Sequence, residues 1–153
     1  MLKEGTRAIE FELMGSDNKM HKLSEFSGKT LVLYFYPKDD TPGCTIEAKK
    51  FTENIEQFNA LGAFIIGISR DNYDSHCAFR DKHGLKILLL SDPSAAVLKA
   101  YESLGMLGIA SRNTYIIDKN GIIVKAYEKV NPNTHADEVL SYLASMKNAE
   151  NIG

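Results

Sequence analysis

The seven residues Thr30 to Tyr36, TLVLYFY, carry no charge and no turn former, and they run directly into PKDDTPGC. An apolar run of this length bounded by turn residues reads as a strand covered on both faces, because a strand with one face in water would alternate apolar and polar side chains. Such a strand is expected at the centre of its sheet. Two more such runs follow, AFIIGIS at 63–69 and LKILLL at 85–90. Between the first two, Ile46, Phe51, Ile55, Phe58 and Leu61 fall at roughly helical spacing from Cys44 onward, and Gly62 stops the helix. DNYDSHCAFRDKHG is a helix capped by Asp71 or Asn72 and ended by Gly84.

The flanking segments complete the order. IEFELM at 9–14 is a half-buried strand, GSDN a turn, and SDPSAAVLKAYESLG a helix with Asp92 capping and Pro93 in its first turn. RNTYIID, KNG and IIVKAYEKV read as an antiparallel hairpin, and THADEVLSYLASMK as a closing helix with a Thr134/Asp137 capping box. A βαβ unit, a connecting α-β-α stretch and a ββα unit describe an α/β protein with a thioredoxin-like three-layer fold and a central mixed sheet. At 153 residues the chain is expected to be a single domain over 1–153, burying roughly two-thirds of its unfolded surface without disulfides.

Composition narrows the partners. With a net charge of -2 and 25% charged residues, the chain has no basic surplus that would attract nucleic acid or an anionic membrane. Acidic residues interrupt MLKEGTRAIEFEL where a secretory leader would be apolar, and no apolar run approaches spanning length. The expected location is the cytoplasm. In a reducing compartment the two cysteines, Cys44 and Cys77, are thiols with a task or inert buried residues rather than a structural disulfide.

Cys44 has the more telling position. Thr41 suits an N-cap and Pro42 the first helical position, so Cys44 falls in the first turn, where unpaired amides and the helix dipole favour an anion. Gly43 beside it removes a side chain that could block approach. A cysteine so placed is a nucleophile rather than a space filler.

PKDDTPGC fits the pattern Pro-x-x-x-Thr-x-x-Cys, and YFYPKDDTPGCTIEA, together with SRD, SH, LLSD and RNTYIIDKNG further on, closely resembles the bacterioferritin-comigratory-protein or peroxiredoxin Q branch of the peroxiredoxins. The resemblance implies a thiol-dependent peroxidase acting on hydrogen peroxide and organic hydroperoxides. Cys44 would be the peroxidatic residue, leaving the reaction as a sulfenic acid. Thr41 would direct its hydroxyl into the pocket, and Pro37 would shield it from bulk water. Arg112 would stabilise the thiolate and the charge moving onto oxygen, with Glu47 orienting it. No metal or organic cofactor is required. His76, Cys77 and His83 lack a second Cys-His pair to complete a tetrahedral metal set.

One position departs from the branch. Lys49 stands where many relatives carry a resolving cysteine, five residues after the peroxidatic one. Cys77, in the following helix, is the resolving candidate, although comparable relatives place theirs about one turn later, at Arg80 here. Thioredoxin or another thiol reductant would recycle the enzyme, which is expected as a monomer or weak homodimer. Two alternatives remain open: a one-cysteine peroxidase with a structural Cys77, and a redox-sensing or chaperone-like protein without turnover.

Overall fold

The computed structural model describes residues 1–152, with side chains through residue 149. Its seven strands are β1 (Glu12–Gly15), β2 (Met20–Lys22), β3 (Thr30–Phe35), β4 (Ala63–Ser69), β5 (Leu88–Ser91), β6 (Thr114–Ile117) and β7 (Ile123–Tyr127). The helices are α1 (Pro42–Glu53), α2 (Ile55–Ala60), α3 (Tyr73–His83), α4 (Ala96–Ala100) and α5 (His135–Ile152). The strands form one mixed sheet in the order β2-β1-β5-β4-β3-β6-β7. β3 pairs in parallel with β4 and antiparallel with β6, and β4 in parallel with β5.

Both faces of β3 are buried, as its composition requires. Val32 and Tyr34, followed by Tyr36 just past the strand, belong to one core with Phe51, Phe58, Phe79, Val139 and Leu143, whereas Leu31, Leu33 and Phe35 belong to the other with Phe26, Leu98 and Tyr101. Successive parallel crossovers of one hand place α1, α2 and α3 on the same face. The first core confirms this, with α5 completing that layer. The three-layer α/β expectation therefore holds. No helix among the described residues is long and apolar enough to cross a membrane.

Four local expectations are corrected. The helix expected to run to Gly62 breaks at Asn54 (φ -104°, ψ 14°), whose side-chain amide donates to the Lys50 carbonyl at 2.8 Å and so competes with the helical ladder. α4 is five residues long and begins after Ala95, which has φ 64°. Pro93 thus lies outside it, yet Asp92 still accepts from the Leu98 amide at 2.8 Å, capping the helix from across the loop. The Thr134/Asp137 box does not form in that way, because the Thr134 amide donates to the Asn131 carbonyl at 3.2 Å. Finally, β2 was not expected. It is three exposed or half-exposed residues held by pairing with β1, with Leu13 opposite His21.

Candidate active site

The site grows out of the end of β3. After Tyr36 the chain turns through Pro37–Asp40, and Asp40 takes a left-handed conformation (φ 57°) before Thr41 returns to extended backbone (φ -99°, ψ 156°). Pro42 occupies the first helical position, and the first intrahelical bond runs from the Thr45 amide to the Thr41 carbonyl at 2.9 Å. The amides of Gly43 and Cys44 therefore have no intrahelical acceptor. Thr41 is the N-cap by backbone, but its hydroxyl makes no cap bond. It donates instead to the Lys38 carbonyl at 2.8 Å, tightening the loop.

Cys44 is a free thiol, 1% exposed, inside the core cluster that includes Tyr34 and Phe51. Arg112 reaches it from the segment just before β6, one guanidinium nitrogen lying 3.3 Å from Cys44 Sγ. The other terminal nitrogen lies 3.4 Å from Glu47 Oε1. Because β6 runs antiparallel to β3, it starts where β3 ends, and this brings Arg112 to the mouth of the Cys44 loop. Arg112 lies two residues ahead of the strand rather than inside it.

Glu47, one turn after Cys44, is fully buried, and its Oε2 has no partner among the described residues. Burial pushes its carboxyl up to about 7, while the Arg112 guanidinium pulls the other way. The Tyr34 hydroxyl is also buried without a partner, and burial followed by the nearby Glu47 carboxylate raises its pKa. Gly43 has a role different from the expected one. A β-carbon there would stand 2.6 Å from an Arg112 guanidinium nitrogen and 3.2 Å from its Cζ, so the missing side chain makes room for the arginine.

Thr41, Cys44, Glu47 and Arg112 thus converge at one end of the sheet, and Pro37, half-buried, lies in the loop that leads to them. Cys77 does not join them. Its thiol lies 3.5 Å from the Ser16 carbonyl, beside Arg80, which donates to the same oxygen at 2.6 Å. Ser16 adjoins β1, and β1 is three strands from β3, so about 14 Å of sheet separates that strand from the one leading to Cys44.

Sequence reasoning missed the polar cluster behind the loop. KDD reads as a solvated turn, yet Asp39 is buried, accepting from the Tyr36 hydroxyl at 2.5 Å and the Ser75 hydroxyl at 2.8 Å, with His76 Nδ1 at 2.7 Å. Its own amide donates to Asp71 at 2.9 Å, and His76 Nε2 lies 3.0 Å from the Leu90 carbonyl. A carbonyl only accepts, so His76 Nε2 is the donor in that contact. The available signal was the short polar SRD following a buried strand, which supplies Ser69 and Asp71.

A buried cysteine in a first helical turn thus faces a carboxylate-held arginine at the carboxyl end of a mixed sheet. The chain belongs to the AhpC/TSA family, whose model matches residues 5–126. It is 41% identical to peroxiredoxin Bcp of Bacillus subtilis, over 93% of this chain and 95% of that protein. With the chloroplastic peroxiredoxin Q of Suaeda salsa the identity is 40%, over 95% of this chain and 69% of that one. Among solved structures, a peroxiredoxin Q mutant from Xylella fastidiosa is similar with a TM-score of 0.91 and 33% identity, over 96% of this chain and 98% of that one. The bacterioferritin comigratory protein of Xanthomonas campestris, solved in work on its alkyl peroxide reduction, has a TM-score of 0.85 and 36% identity over 89% and 91%. The chain is thus similar over most of its length to peroxiredoxins Bcp and Q, and thiol-dependent peroxidase activity follows.

Proposed function

We propose that Cys44 is the peroxidatic nucleophile and that it reduces hydrogen peroxide and small organic hydroperoxides. The sulfur attacks the nearer oxygen, the S–O bond forms as the O–O bond breaks, and the farther oxygen, taking up a proton equal to the one the thiol gave up, leaves as water or an alcohol. Negative charge moves from sulfur to the leaving oxygen. Fixed donors at the free amides and at Arg112 therefore bind the transition state better than the separated reactants. The observation that carries this reading is the Arg112 guanidinium 3.3 Å from Cys44 Sγ, held on its other side by Glu47. Thr41 serves a bound peroxide once its hydroxyl leaves the Lys38 carbonyl, and Pro37 limits water entry.

Cys77 resolves the sulfenic acid as an intramolecular disulfide in this reading, and thioredoxin or a similar thiol donor in the cytoplasm restores both thiols. The bond from the Cys77 thiol to the Ser16 carbonyl favours a second reading, in which Cys77 is structural and an external thiol reduces Cys44 directly. A disulfide needs Cα atoms within about 7 Å, so the first reading requires a helix end to unwind. Cys44→Ser is expected to abolish peroxide reduction while the far-ultraviolet spectrum and melting profile stay those of the parent. More than trace activity overturns the assignment. Non-reducing peptide mapping after one equivalent of peroxide separates the two readings: a linked Cys44 and Cys77 pair supports the first, and a free Cys77 thiol the second.

A further inference from the structure

Asp39 and Asp40 both face α3. In extended backbone consecutive side chains leave on opposite sides, but the left-handed Asp40 (φ 57°) turns the chain so that both carboxylates point the same way. Asp39 takes the first turn of α3, through Ser75 and His76. Asp40 takes its last turn, through Lys82 Nζ at 2.7 Å and His83 Nε2 at 2.8 Å. Two adjacent residues of the Cys44 loop therefore grip both ends of an 11-residue helix.

We propose that this pair is a clamp fastening the Cys44 loop to α3, and that its opening sets how fast a Cys44 sulfenic acid is captured by a second thiol. The inference rests on Cys44 being the oxidised residue but not on the identity of the second thiol. At 1% exposure the sulfur admits no protein thiol while the first turn of α1 is formed. Capture forms an S–S bond and releases the sulfenic oxygen as water, and it must wait until the loop swings out. The anchors that oppose this movement are the bonds from Asp39 and Asp40 to α3, together with the Asp39 amide on Asp71. Asp39 and Asp40 are positioning residues, since neither touches Cys44.

The test uses Asp40→Asn, because asparagine tolerates a left-handed backbone and only the charge is lost. Lys82→Met removes one partner from the other side. Each is made in the parent and in Cys77→Ser, where 2-nitro-5-thiobenzoate is supplied as the capturing thiol. Quenched-flow mass spectrometry after one equivalent of hydrogen peroxide follows sulfenic acid formation and disulfide formation separately. An exposed ion pair is screened by solvent and restrains the loop only weakly, so disulfide formation is expected to accelerate about threefold in Asp40→Asn, with sulfenic acid formation unchanged. The combined Asp40→Asn and Lys82→Met variant is expected to be no faster than Asp40→Asn alone, because the two changes break one interaction.

An unchanged disulfide rate in both backgrounds overturns the clamp. So does a slowing of both steps together, which would mean that Asp40 merely shapes the pocket. Acceleration with the added thiol but none in the Cys77-containing chain supports the clamp and overturns resolution by Cys77. Absence of any sulfenic acid in the parent overturns the assignment of Cys44 and the clamp with it.

Discussion

Glu47→Gln tests whether a buried carboxylate beside the thiol is held at the expense of stability. Burial raises the Glu47 carboxyl from 4.5 to about 7 despite its pairing with Arg112. A raised folded-state value means that the native protein holds the proton more tightly than the unfolded chain. The resulting stabilisation is fully present below about 4.5 and is lost as the pH rises through about 7. Each pH unit of difference is worth about 1.4 kcal/mol, so the loss amounts to about 3 kcal/mol. Glutamine keeps an oxygen for the Arg112 guanidinium and has no proton to lose. The experiment is urea unfolding from pH 4 to 8.5 in a Cys44→Ser background, so that the thiol does not titrate. The stability of Glu47→Gln relative to its parent is expected to rise by about 3 kcal/mol across that range, or roughly 6–12 °C in melting temperature for a domain of this size. A difference that stays flat with pH refutes the reasoning, and would mean that water or a side-chain rearrangement solvates Oε2.

Gly43→Ala suits the helical backbone, but its β-carbon pushes the Arg112 guanidinium away from the buried Glu47 carboxyl, so a loss of stability is expected in urea unfolding. The new β-carbon displaces the guanidinium from Cys44, so the second-order rate with hydrogen peroxide in a competition assay is expected to fall about tenfold. A parental rate would mean that Arg112 works from another position. Arg112→Lys is expected to lose about a hundredfold in the same assay, because a single ammonium cannot hold the sulfur and Glu47 at once in forked geometry. A loss as small as a few-fold would show that charge alone suffices.

What was legible in the sequence depended on whether the cause was local. β3 could be read because burial on both faces leaves an unbroken apolar string, and α3 because Asn72 and Gly84 mark its ends, the first accepting from the Ser75 amide and the second taking φ 61°. Cys44 was legible from the cap and proline ahead of it. Arg112 was legible only through the family pattern, since nothing in its neighbours says that it faces a thiol. β2 left no trace because three exposed residues have no periodicity, and the Asn54 break none because its cause is one side-chain bond. Asp39 and His76 gave no sign of their place for a different reason. Their burial comes from packing between segments 37 residues apart, and a charged pair read along the chain looks solvated.

The antiparallel start of β6 also has a consequence in time. Arg112 follows Cys44 by 68 residues, so during synthesis at about 5–20 residues per second the cysteine is made several seconds before its guanidinium. Through that interval Cys44 has no guanidinium beside its sulfur. If Cys44 is the nucleophile proposed above, its chemistry waits until the β6–β7 hairpin docks beside β3 and the core around the sulfur has closed.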